Sequence, residues 1–108
     1  MLVLFDNGTP RTLARSLSKH TVTEARAQGW DQLENGALLN AAEAAGFEVI
    51  VTTDKNIRHQ QNLTERKIAL VVLGKGRWRL MRPLLAQIVE AVNAATPGSY
   101  TEVDIPGE

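Results

Sequence analysis

The chain opens on four consecutive apolar residues, Leu2-Val3-Leu4-Phe5, and Asp6-Asn7-Gly8 ends them at once. A strand with one face in water alternates apolar and polar residues. A continuously apolar strand suits the middle of a parallel sheet, where both faces are covered. Parallel neighbours need crossover connections, usually helical, and those helices supply the cover. The opening run therefore asks the rest of the chain for further apolar strands with helices between them.

The chain supplies them in order. Thr9-Pro10 reads as a helix start, with Thr9 as N-cap and Pro10 at the first helical position. Leu13, Ala14 and Leu17 form one face of that helix, beside Arg11 and Arg15. Thr21 to Glu24 is a short β-branched strand, and residues 25–33 read as a turn or loop holding Gly29, Trp30 and Asp31. Asn35 is placed as the N-cap of a second helix, with Leu38, Leu39, Ala41, Ala42 and Ala45 inward and Gly46 as its stop. Phe47 to Thr53 is the next strand and runs into Asp54. A polar loop or single helical turn follows, and Ile68 to Leu73 is another apolar strand closed by Gly74-Lys75-Gly76. A long helix is expected from Met81 to Ala95. Leu80, Leu84, Ile88 and Val92 recur along it as a core-facing stripe, with Pro83 confined to its first turn. Pro97-Gly98 precedes a final edge strand, Ser99 to Ile105. This alternation predicts an α/β fold: an open, mainly parallel sheet with helices on both faces.

At 108 residues, 44% hydrophobic and 22% charged, the chain fits one globular domain spanning residues 1–108. Lys plus Arg equals Asp plus Glu at 12 each, so a nucleic-acid partner has to be met by a local basic patch. The absence of cysteine excludes disulfides, Cys-zinc sites and thiol nucleophiles, and is compatible with a reducing, cytoplasmic location. The opening apolar run is too short for a signal peptide, and no stretch approaches the ~20 apolar residues of a membrane span.

Two acids occupy equivalent places: Asp6 directly follows the first strand and Asp54 the third. In an open parallel sheet, ligands bind beyond the carboxyl ends of the strands, where strand order reverses. If the two strands are neighbours, both carboxylates enter one crevice, and a cation such as Mg2+ or Mn2+ relieves their repulsion. The competing reading is that each Asp caps a loop. After Asp54 come Lys55, Asn56, Arg58, His59, Gln60, Gln61 and Asn62, groups that suit phosphate or ribose, or a solvated loop. Lys75, Arg77, Arg79 and Arg82 surround Trp78, which stacks on a nucleic-acid strand or caps the core; the cluster also suits an acidic protein partner. Other chemistries lack their signatures. His20 and His59 have no ligand spacing, there is no Gly-x-Ser-x-Gly elbow, and no Gly-rich phosphate loop follows the first strand. A receiver-type phospho-acceptor domain would want an acidic pair where Asp6-Asn7 stands.

The segments Leu-Phe-Asp6-Asn7-Gly-Thr-Pro, Asn35-Gly-Ala-Leu-Leu and Val-Thr-Thr-Asp54-Lys-Asn-Ile, with Gln-Gln-Asn62, resemble short PIN-like bacterial proteins of the toxin and tRNA/rRNA-nuclease type. The resemblance covers roughly residues 1–75 and implies a PIN-like, Rossmann-like three-layer sandwich. It implies a ribonuclease dependent on Mg2+ or Mn2+, with Asp6 and Asp54 as catalytic metal ligands and Asn7, Asn56 and Arg58 holding a metal-bound water or the substrate. It also implies RNA as substrate, with a cognate antitoxin and a homodimer as candidate partners. The family carries a third acid, usually Glu, where this chain has Ala37. Three explanations stand open: an introduced knockout, a naturally inactive member, or a shifted register in which Glu34 or Asp31 supplies the third oxygen. The alternative function is a non-catalytic PIN-like scaffold that binds RNA or a protein partner.

Overall fold

A computed structural model describes residues 1–33, 35–54, 66–74 and 77–105. Five short strands, β1 (Leu2–Phe5), β2 (Thr21–Glu24), β3 (Val49–Thr52), β4 (Ala69–Leu73) and β5 (Tyr100–Val103), form one sheet in the order β2-β1-β3-β4-β5. Every neighbouring pair is parallel. The apolar runs are therefore the inner strands, and β1, β3 and β4 are buried apart from Leu2. The short β-branched segment β2 and the alternating segment β5 are the edges. The fold is the expected α/β sheet, and its parallel character is complete.

Alternate side chains divide into two cores. On one face Val3, Phe5, Val49, Val51, Val71 and Leu73 pack with Leu13, Leu17, Met81, Ile88 and Val92. On the other, Leu4, Ile50, Leu70 and Val72 pack with Ala25, Leu38, Leu39, Ala42 and Phe47. Helix α1 (Asn35–Ala44) lies on the second face; α2 (Trp78–Met81) and α3 (Leu85–Asn93) lie on the first. The β1–β2 and β4–β5 connections step toward opposite edges of the sheet yet lie on the same face. They therefore have opposite hands, so one departs from the right-handed rule for parallel crossovers.

Several local expectations are corrected. The first helix is a 3-10 helix over Arg11–Leu17, and Thr9 does not cap it. Thr9 is instead buried, and its hydroxyl donates to the Val51 carbonyl at 3.1 Å, tying the loop after β1 to β3. Within residues 25–33, Ala25–Gln28 forms a 3-10 turn ended by Gly29 in the left-handed region. Trp30 then packs edge-on against Phe47 at 5.9 Å. Asn35 is the first residue of α1 rather than its cap. Gly46 ends this helix as expected, after Ala44: the Phe47 N–H reaches the Ala42 carbonyl and the Gly46 N–H that of Glu43, the two bonds of a Schellman motif.

The long helix expected from Met81 to Ala95 is broken. Residues Arg82–Leu84 form a 3-10 link between α2 and α3. Pro83 lacks an N–H, and its ring opposes the carbonyl four residues back, so a continuous α-helix cannot cross it. The apolar stripe nevertheless does what its spacing asks: Met81, Ile88 and Val92 are buried, and Leu80, Leu84, Leu85 and Val89 pack against them.

Candidate active site

Because all five strands run the same way, their carboxyl ends share one edge of the sheet. The strand order steps from β1 to β2 on one side and continues from β3 on the other. The reversal falls between β1 and β3, where doubly wound sheets bind ligands. Asp6 follows β1 and Asp54 follows β3, so the acids do flank neighbouring strands.

Register brings the site together. Phe5 pairs with Val51, and the Asp6 N–H continues the ladder to the Val51 carbonyl at 2.9 Å. Asp6 therefore stands beside Thr52, on the face shared by Leu4 and Ile50. The Thr52 hydroxyl, in a fully buried residue, donates to Asp6 Oδ2 at 2.8 Å. Thr52 Oγ1 also accepts the Asp54 N–H at 3.1 Å, a local turn that Thr commonly makes two residues before its donor. The other carboxylate oxygen of Asp6 accepts the Asn7 N–H at 2.8 Å. An ionised carboxylate offers about four lone-pair sites, so both oxygens retain capacity for a ligand. Asp54 is exposed, two residues past the end of β3.

The other expected residues divide. Asn7 lies at the crevice, and its amide donates to the Asp31 carbonyl at 2.9 Å. That bond brings the loop before α1 to the end of β1. Ala37 is exposed in the first turn of α1, and Asp31 is exposed in the loop before it. Asn56, Arg58, His59, Lys75 and Glu34 lie outside the described residues. Among the described residues, no three of His, Cys, Asp and Glu gather as a metal site. Of the basic cluster, Arg77, Arg79 and Arg82 are exposed beyond the end of β4, while Trp78 packs against the core. The ring is thus the core cap, one of its two sequence readings.

Four residues, Arg11, Glu24, Arg26 and Thr52, were not singled out for the site from sequence. A polar cavity of about 180 Å³ beside Asp6 is lined by Asn7, Gly8, Arg11, Glu24 and Arg26, among others. Arg11 Nε contacts both carboxylate oxygens of Glu24, at 2.9 and 3.1 Å. The sequence signal was faint: Arg11 and Glu24 are separated by a whole helix and strand, and only the pairing of β1 with β2 joins them. Thr52 was the more legible omission, since it alternates with Ile50 along β3 and sits two residues before Asp54.

A larger cavity, about 280 Å³, lies at the opposite end of the sheet, lined by Met1, Gly46, Phe47, Glu48, Lys67 and Pro97. It contains neither Asp6 nor Asp54. Among the described residues no helix is long and apolar enough to cross a membrane. Comparison of the chain with protein-family models, curated proteins and solved structures gave no match.

Proposed function

We propose that the crevice between β1 and β3 is a divalent-cation-assisted phosphodiesterase site acting on RNA, of the kind implied by the likeness to PIN-like ribonucleases. The observation that supports the reading is the buried Thr52 hydroxyl at the strand reversal, which bonds the Asp6 carboxylate and the backbone N–H of Asp54. The donor set fits a hard cation. Mg2+ commonly keeps several waters and takes only one or two carboxylates from the protein, with substrate phosphate filling the rest. Asp6 and Asp54 would hold it, and the ion would supply charge to polarise the phosphate and water to attack it.

Ala37 makes this a weak site. A Glu there would add a charge near the helix N-terminus, where the dipole favours it. Without that charge, metal affinity and turnover are both reduced. A non-catalytic scaffold that binds RNA or a protein partner is the second reading, and Ala37, where the family carries an acid, favours it. Mn2+ calorimetry and cleavage of single-stranded RNA separate the two. Mn2+ binding lost in Asp6→Asn and Asp54→Asn, with metal-dependent cleavage in the parent chain, supports the nuclease. RNA binding with neither Mn2+ binding nor cleavage supports the scaffold.

A further inference from the structure

The cavity on the β2 side of Asp6 contains two guanidinium-bearing residues that the metal reading does not use. Arg11 begins the 3-10 helix after β1, and Arg26 lies in the turn directly after β2. Both line the cavity with Asp6, Asn7, Gly8 and Thr9. Glu24 holds Arg11 through Nε alone, with both of its oxygens on that one N–H. Among the described residues no other bond is made by Arg11, so its two terminal amines remain available to a ligand. Arg26 is exposed, and its side chain makes no hydrogen bond or ion pair among the described residues.

With Glu24 on Nε, the remaining N–H groups of the Arg11 guanidinium form the planar fork that matches a phosphate. Glu24 is neutralised by the arginine it orients. Arg26 in turn balances Asp6, so the cavity is neutral overall, and a tetrahedral anionic group would be held by the unused N–H groups of Arg11 and Arg26, on the side away from the Asp6 carboxylate. We propose that this cavity is a phosphate subsite, with Arg11 and Arg26 as its donors and Glu24 as the residue that positions Arg11. The inference rests on the phosphodiester reading of the crevice for its place in the reaction: the subsite holds a phosphate of the substrate beside Asp6.

The test is a titration of the full chain followed through the backbone amide signals of Asn7, Gly8, Thr9 and Arg26, at low salt with EDTA present. Inorganic phosphate, a nucleoside 5′-monophosphate and a dinucleoside phosphodiester are the three probes. Binding of all three marks a general phosphate subsite; binding of the nucleotides alone places the source in nucleic acid; both support the proposal. Arg11→Gln and Arg26→Gln should each weaken binding on the order of tenfold, the scale of a charge-assisted hydrogen bond. Arg15→Gln, an exposed change of equal charge, should leave it nearly unaltered. Glu24→Gln is the sharper arm. It removes a negative charge, so a merely repulsive carboxylate would give tighter binding, whereas a positioning carboxylate gives weaker binding. No titration by any probe, equal losses in Arg15→Gln and the two site variants, or tighter binding in Glu24→Gln would overturn the proposal.

Repeating the titration with Mn2+ keeps the two readings apart. Phosphate binding that depends on Arg11 and Arg26 but ignores Mn2+ upholds the subsite and removes the metal site. Mn2+-dependent cleavage unchanged in Arg11→Gln and Arg26→Gln upholds the nuclease and removes the subsite.

Discussion

Thr52 stands between the two acids of the crevice, donating its hydroxyl hydrogen to Asp6 and accepting the Asp54 N–H on the same oxygen. Thr52→Val keeps the buried shape and removes both bonds. The backbone N–H of Asp54 and one Asp6 oxygen lose their partner, which costs about 1–3 kcal/mol in stability. Thr52→Ser keeps the hydroxyl and should recover most of the bonding. Urea denaturation of the two variants checks this, and only the valine variant should also lose Mn2+ binding.

Ala37→Glu should strengthen the proposed metal site. The added carboxylate contributes an attraction of about 4 kcal/mol per unit-charge pair at 4 Å for an effective dielectric of 20, much of it offset by desolvation. The expected net gain is on the order of tenfold in Mn2+ affinity, with a parallel gain in RNA cleavage. Calorimetry and a cleavage assay beside the parent chain measure both. A variant no better than the parent in either would show that position 37 is not where a third acid acts.

Gly8 has a φ of +91°, and a Cβ there would sit 3.2 Å from Thr53 Oγ1. Gly8→Ala therefore meets both the left-handed backbone penalty, about 1–2 kcal/mol, and a close neighbour from the β3 loop. Thr53→Ala in the same chain removes the contact but not the backbone penalty, so it should restore only part of the lost stability. Thermal unfolding of the single and double variants distinguishes the two contributions.

Glu43 links α1 to the start of β4. Its carboxylate accepts the Lys67 N–H at 2.9 Å and pairs with Arg66, which also donates to Asn40. Burial pulls the Glu43 pKa upward, but the Lys67 N–H, the Arg66 bond and charge, and the Ile68 N–H together outweigh it and hold the group below its ordinary value of 4.5. A carboxylate depressed on folding stabilises the native state fully above its unfolded value. That contribution is lost as pH falls below about 4.5 and through the lower folded value. Glu43→Gln should cost roughly 1–3 kcal/mol at pH 7 and less at acid pH. Denaturant unfolding curves of the two proteins should therefore differ at neutral pH and converge at acid pH.

What the sequence determined by itself was local. Unalternated runs at Leu2–Phe5 and Ile68–Leu73 marked strands covered on both faces, because burial leaves no polar side to alternate with. Gly46 marked the end of α1, because a left-handed residue was needed there. Asp6 and Asp54 were legible as strand-end acids from chain order alone. What the tertiary structure decided was adjacency. Periodicity says which faces are apolar but not which strand pairs with which, and only the order β2-β1-β3-β4-β5 puts Asp6 beside Thr52. The same order joins Arg11 to Glu24 across the β1–β2 edge and carries α3 to the face of the first 3-10 helix. Thr9 shows the difference on one residue. Its sequence context offered a helix cap, but the packed sheet put the Val51 carbonyl within its reach, and that bond holds the loop that carries Asp6 and Asn7.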